Sequence, residues 1–270
     1  MSEPLSVCIA GATGWTGPAL VRGVLDAPDL SLRSAVSRSA AGRDLGEALD
    51  GDALGVPVFA SVAEALGGVD VLVDYTSATA VKANVMAAID ASVAVVIGSS
   101  GLTADDFAEI DAAARARSVG VVASGNFSLT AAMCQAGALL AARHLPTWEV
   151  IDYASATKPD VPSGTARELA ERLGEVRSPA LGHPIEALHG PQEARGASVA
   201  GTQVHSVRLP GFVVSTEGVF GLPDERLTIR HDAAGTPEPY VAGTLLAVRR
   251  APGLVGLTRG LDALLLDGTP

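Results

Sequence analysis

The sequence predicts an α/β protein of two domains, a parallel sheet sheathed in helices over residues 1–127 and a smaller mixed α/β domain over residues 128–236. Three observations predict it. From Ser6 to Ala123, short strands that are apolar throughout alternate with helices, the pattern of a parallel sheet covered on both faces. After Gly201, three strand candidates follow one another with no helix between them, which points to an antiparallel or mixed sheet. A glycine loop, Gly11–Gly17, joins the first strand to the first helix.

The elements follow in order. Ser6–Ala10 is an apolar strand, and the helix after the glycine loop runs to about Leu25. Leu32–Val36 and Val58–Ala60 are strands, Ser61–Leu66 a short helix and Val69–Asp74 a buried strand. Ala80–Ala91 is a helix and Val93–Ile97 a strand. Thr103 offers an N-cap, with Asp105 and Asp106 in the first turn of a helix that ends near Arg117; Val119–Ala123 is the next strand. In the second domain come a helix at Leu129–Leu145, a strand at Trp148–Tyr153, a helix at Ser163–Leu173 and a loop over Gly174–Gly201. Strands at Gln203–Leu209, Phe212–Phe220 and Arg226–His231 follow, with a final helix at Pro237–Arg250.

The composition narrows the function. Of the 270 residues, 48% are hydrophobic, enough for a core, which excludes a mainly disordered chain. The net charge of -11 argues against nucleic acid or an anionic membrane as partner, since both need a basic face. Cys8 and Cys134 are too few for a disulfide framework and too isolated for a zinc site, and the five histidines have no metal-ligand spacing, so no metal is expected. Glu3 and the absence of a basic residue before Arg22 are unlike a secretory signal, and no apolar run approaches the roughly 20 residues of a membrane span. The expectation is a soluble cytoplasmic protein acting on a small molecule.

The glycine loop reads Gly11-Ala-Thr-Gly14-Trp-Thr-Gly17. The first glycine permits the tight turn, the second lets backbone approach a pyrophosphate, and the third lets helix pack on strand. The helix N-terminus then offers N–H groups to the anion. Gly11, Thr13, Gly14, Trp15 and Thr16 are the candidate contacts. At the end of the second strand, where an acid would hold an NAD ribose, the chain has Ser37, Arg38 and Ser39, with Arg43 close behind. An arginine between two hydroxyls suits a 2′-phosphate, so NADPH is expected, with NADH as the possible alternative.

Further segments carry a family resemblance. Asp74-Tyr-Thr76, Gly98-Ser-Ser-Gly101, Gly125-Asn-Phe-Ser128 and Lys158-Pro-Asp-Val-Pro-Ser-Gly-Thr-Ala166 resemble, in order and spacing, the signature stretches of the dihydrodipicolinate reductase family. The strands at Val204–Arg208 and Glu225–His231 also look like that family's second domain. The resemblance implies a Rossmann-type domain carrying NAD(P)H, completed by the C-terminal segment 237–270, and a second domain for substrate and oligomerisation, commonly in a homotetramer. It implies hydride transfer to a cyclic, imine-like dicarboxylate of lysine and diaminopimelate synthesis. Thr76, Gly98, Ser99, Ser100, Gly125, Asn126 and Phe127 would line the cofactor. Lys158, Ser163, Gly164 and Thr165 would hold the substrate carboxylate. The turn has its own logic: Ser163 can cap the helix, and the N–H groups at Gly164 and Thr165, aided by the dipole, suit a carboxylate.

One departure stands out. The family carries two adjacent histidines just before the lysine, the first regarded as proton donor and the second as a substrate ligand. Counting back from Lys158, those positions are Ala154 and Ser155. Neither replaces an imidazolium, though Ser155 keeps a hydrogen-bonding group for substrate. The proton could come with an already protonated imine, or from Lys158, the candidate catalytic residue; Tyr153 should face the other way. Alternatively the substrate has changed, with Ala154 making room for a bulkier one. Two alternatives therefore stand beside the family activity: a diverged imine or ketimine reductase, and a non-catalytic NADP(H)-binding sensor or partner subunit. His205 could approach the site, although a structural or exposed role suits it better, and His231 reads as structural.

Overall fold

The computed structural model describes residues 3–212 and 214–266. Val213, inside the strand expected at Phe212–Phe220, and the outermost parts of the expected domain spans, 1–2 and 267–270, lie outside the described residues. The chain divides into two compact units, one running to Leu129 and resuming at Pro237, the other Thr130–Thr236.

The first unit alternates strands and short helices: β1 (Leu5–Ala10), α1 (Gly17–Asp26), β2 (Leu30–Val36), α2 (Leu45–Ala48), β3 (Val58–Phe59), α3 (Val62–Ala65), β4 (Val71–Asp74), α4 (Val81–Asp90), β5 (Ala94–Ile97), α5 (Ala104–Arg117) and β6 (Gly120–Ala123). The apolar runs become strands because both faces are covered: every residue of β4, β5 and β6 is buried. α5 starts at the capping box expected of Thr103, whose hydroxyl accepts from the Asp106 amide while the Asp106 carboxylate accepts from the Thr103 amide.

In the second unit come α6 (Leu129–Ala142, its first residue belonging to the first unit), β7 (Thr147–Ala154), α7 (Gly164–Val176), β8 (Ala197–Val199), β9 (Thr202–Arg208), β10 (Val214–Leu222) and β11 (Glu225–Asp232). The chain then returns to the first unit with α8 (Pro239–Arg250), β12 (Gly256–Arg259) and α9 (Leu261–Leu266).

The first sheet has the order β12-β6-β5-β4-β1-β2-β3, with every pair parallel. Its order reverses at β1, between β4 and β2, so the loops leaving these strands diverge over one end of the sheet. Ligands of open α/β sheets bind at that place. Pro237–Arg250 is not the last element, as β12 pairs with β6 and α9 follows it.

The second sheet runs β11-β10-β7-β9-β8, with β7 and β9 parallel and the other pairs antiparallel. It is mixed, as expected, with β10 paired to β7 and β11. One reading changes. The stretch read as loop, Gly174–Gly201, contains β8 and two short 3-10 turns, Ile185–Ala187 and Gln192–Arg195. In β7, Trp148, Val150, Asp152 and Ala154 are buried while the alternate residues are half-buried. Trp148 and Val150 pack with Ala138, Ala142, Leu169 and Leu173, which sets the face of the sheet that α6 and α7 cover.

Candidate active site

The glycine loop leaves β1 with Gly11 at φ +85, where a Cβ would stand 2.2 Å from the Tyr75 carbonyl oxygen. A Cβ on Gly17 would stand 2.1 Å from the Ala12 carbonyl oxygen, so α1 can start this close to the turn that leaves β1 only with glycine there. Thr16, the N-cap, makes no side-chain capping bond, and Pro18 occupies the first turn of α1. Among the described residues, the amides of Thr13, Trp15 and Thr16 donate to no backbone carbonyl. The loop is therefore a concavity of donors at a positive helix end, with no acid in that first turn.

Beside it lies a cavity of about 740 Å³ whose walls include Gly11, Thr13, Gly14, Ser37, Arg38 and Thr76 among the expected cofactor residues. Ser39, Ser61, Tyr75 and Asn84 also line it. The hydroxyls of Thr13 and Ser37 are 2.6 Å apart, which joins the glycine loop to the end of β2. Arg38 is exposed and makes no hydrogen bond or ion pair among the described residues. Arg43, by contrast, donates to the Glu47 carbonyl at 2.7 Å and does not line the cavity.

Sequence reasoning missed what organises the floor of this site. Asp74, at the end of β4, is fully buried. Its Oδ1 accepts from the Thr76 amide (3.1 Å), the Thr76 hydroxyl (2.8 Å) and the Ser99 hydroxyl (2.6 Å), and its Oδ2 accepts from Asn84 Nδ2 (2.8 Å). One carboxylate thus ties the loops after β4 and β5 to α4.

The other expected cofactor residues lie at the ends of β5 and β6 or on the glycine loop, and none of them lines the cavity itself. Gly98 follows β5 and faces the Tyr75 ring; Ser99 reaches Asp74; Ser100 is exposed. After β6, Gly125 precedes Asn126, whose Oδ1 accepts from the Ser128 amide at 2.9 Å. Phe127 is buried, with its ring centroid 6.2 Å from that of Tyr75. Burial holds the Tyr75 phenol far above its ordinary value, and its hydroxyl bonds Thr244 of α8 at 2.9 Å. Trp15 is exposed on the loop, its ring 6.0 Å from Tyr240. Cys8 is buried beneath the site, which pushes its thiol up to about 11.

In the second unit, Ser163 caps α7: its hydroxyl accepts from the Ala166 amide at 3.3 Å, which leaves Gly164 and Thr165 in the opening turn. Lys158 lies in the preceding loop and pairs with Asp160 at 2.9 Å. Ser155 is half-buried, its hydroxyl 3.1 Å from that of Thr157. Ala154 is fully buried.

Tyr153 faces away from Asp152, as the strand alternation requires, with its hydroxyl donating to Glu217 at 3.2 Å. On that opposite face lies a second cavity, about 790 Å³, lined by Glu149, Ile151, Leu181, Arg195, His205 and Val219 among others; it contains no residue of the Lys158–Thr165 stretch. His205 bonds Glu149 there at 2.7 Å. His231 is buried and bonds the Thr130 hydroxyl at 3.1 Å, in keeping with a structural role. Among the described residues no three His, Cys, Asp or Glu side chains form a metal set, and no helix is long and apolar enough to cross a membrane.

Comparison with known proteins covers nearly the whole chain. The family profile described as "Dihydrodipicolinate reductase, N-terminus" matches residues 5–127, and "Dihydrodipicolinate reductase, C-terminus" matches 125–261. The chain is 37% identical over 275 residues to 4-hydroxy-tetrahydrodipicolinate reductase of Thermosynechococcus vestitus, covering 98% of each chain. It is 37% identical to the enzyme of the same name from Moorella thermoacetica, covering 98% of this chain and 99% of that one. Among solved structures, dipicolinate-bound dihydrodipicolinate reductase from Paenisporosarcina sp. TG-14 superposes with a TM-score of 0.75 at 29% identity, covering 97% and 99% of the two chains.

Proposed function

The chain belongs to the dihydrodipicolinate reductase family, and on that premise we propose that it reduces the C=N bond of a cyclic imine dicarboxylate, with NADPH preferred over NADH. The observation that carries the reading is the full-length match to named reductases, within which both the glycine loop and the Lys158–Thr165 stretch fall.

The residues present fit a nicotinamide dinucleotide. The close approaches at Gly11 and Gly17 leave the loop backbone bare where a pyrophosphate would lie. Arg38, unpaired among the described residues and flanked by Ser37 and Ser39, supports a 2′-phosphate. Thr76, Gly98, Ser99, Ser100, Gly125, Asn126 and Phe127 would complete the cofactor's surroundings, with Trp15 and Thr16 at the pyrophosphate. When bound, the reduced nicotinamide supplies the hydride.

In this reading the opening turn of α7 receives a substrate carboxylate on the Gly164 and Thr165 amides, with the Ser163 cap fixing their direction. Lys158 contributes the positive charge and would deliver a proton to the imine nitrogen, and Ser155 supplies a further hydrogen bond. Self-association belongs to the same proposal, through the face of the second sheet opposite α6 and α7.

The test is loss of reduced-nucleotide absorbance, NADPH and NADH side by side, with the imine generated in situ from pyruvate and aspartate semialdehyde. Robust turnover with NADPH is expected. Ala154 and Ser155, at the positions of the family's histidine pair, favour a second reading, a reductase of the same fold with another imine as substrate. Silence on the first substrate with turnover of another cyclic imine would decide for that one.

A further inference from the structure

The substrate end of the second unit is organised by a buried ion pair. Asp152 is fully enclosed on the helix-covered face of β7. The parallel register of β7 and β9 sets Ser206 beside Asp152 and Arg208 beside Ala154. Three donors converge on one oxygen, Asp152 Oδ2: the Arg208 guanidinium at 2.8 Å, the Ser206 hydroxyl at 2.9 Å and the Ser163 amide at 2.9 Å. The same Arg208 Nη2 also donates to the Asp160 carbonyl at 2.7 Å, and the Asp160 carboxylate holds Lys158.

The connections form one line. Lys158 is tied to Asp160, Asp160 to Arg208, Arg208 to Asp152, and Asp152 to the amide of the residue that caps α7. Among the described residues Asp152 Oδ1 and Arg208 Nε find no partner, so the pair is not closed into the two-bond fork these groups can form. A buried pair contributes little net stability over apolar replacements, and what this one does is fix where two loops lie.

We propose that the Asp152–Arg208 pair is the positioning device of the substrate end, holding the Lys158 loop and the Ser163–Thr165 turn at the spacing a carboxylate-bearing substrate needs. This rests on the functional reading above. Neither residue touches substrate in it; both act through Asp160 and Ser163.

The test uses the full chain with Arg208→Gln, which keeps two amide donors and removes the bridging charge. Dipicolinate binding by calorimetry with NADPH present, NADPH binding by fluorescence titration, and steady-state kinetics at saturating NADPH are measured together. Misplacement of the two loops should lower kcat/KM and dipicolinate affinity ~10- to 100-fold, while NADPH affinity stays within about twofold. Ser206→Ala removes one donor from an exposed position and uncovers no charge, so it answers the question even if Arg208→Gln does not fold. It should weaken dipicolinate severalfold and leave NADPH alone. Wild-type dipicolinate affinity in a folded Arg208→Gln or in Ser206→Ala overturns the proposal, as does a parallel loss of NADPH binding in Ser206→Ala. If the unaltered chain neither binds dipicolinate nor reduces the imine, the functional reading fails and takes the proposal with it; an active wild type beside indifferent variants sinks the positioning role alone.

Discussion

Gly98 and Tyr75 are fitted to each other: a Cβ on Gly98 would stand 2.1 Å from Cζ of the Tyr75 ring. The ring cannot swing freely aside, because its hydroxyl is bonded to Thr244 and it packs at a tilt beside the Phe127 ring. Gly98→Ala should therefore push Tyr75 into the cavity that it lines or break its bond to Thr244. Overpacking of this kind costs ~1–3 kcal/mol, and the loss should appear in urea unfolding together with weaker NADPH binding. Unchanged stability and NADPH affinity would show that the ring has room the structure does not give it.

Arg38 is the positive side chain on the cavity wall, and no carboxylate engages it among the described residues. Arg38→Ala should raise KM for NADPH by about 10- to 100-fold, the range expected when a charge-assisted hydrogen bond is lost, and leave KM for NADH nearly unchanged. Equal effects on the two nucleotides would remove the 2′-phosphate from its assignment.

Ala154 occupies enclosed space between β9 and β10, where it pairs with Arg208 and Val214. Ala154→His would force an imidazole into that enclosed space, at a cost of ~1–3 kcal/mol. We expect a lower unfolding midpoint and no gain in imine turnover. A gain in turnover at unchanged stability would mean that the ring finds its way to the substrate.

Burial holds His231 below the ordinary histidine value. In the unfolded chain it takes up a proton as pH falls through about 6.5, while in the folded protein it stays neutral to lower pH. The unfolded state then binds more protons, so this residue makes stability fall between pH 7 and pH 5. Denaturant titrations across that range should show a shallower decline in His231→Gln than in the parent. Identical slopes would place the acid sensitivity elsewhere.

Much of the first sheet was legible because its signals are local. Apolar runs such as Val71–Val73 and Val95–Ile97 have one stable use, burial on both faces, and Gly11–Gly17 sits where a strand meets a helix. β12 was not legible, since Gly-Leu-Thr-Arg carries no apolar run and lies at the sheet's edge. β8, at the edge of the second sheet, escaped for the same reason.

Asp74 and Asp152, both fully buried, were the larger omission. Asp74 looked like the polar end of a strand, and spacing along a chain does not say that an acid turns inward. For Asp152 the signal existed. Trp148, Val150, Asp152 and Ala154 share one face of β7, and an acid in an otherwise apolar alternation must find donors there. Those donors come from Ser163, Ser206 and Arg208, up to 56 residues away, so only the fold could supply their names.

The parallel pairing of β12 with β6 has a consequence for how the protein is made. β6 is apolar and buried along its whole length, yet the strand that covers its outer side is translated after the entire second unit. Until the last turns of the chain leave the ribosome, β6 is a raw apolar edge with unpaired backbone groups, a template for pairing with another nascent chain. A polypeptide truncated at Thr236 would keep that edge permanently, and it should be recovered from cells as aggregate, not as a smaller nucleotide-binding protein.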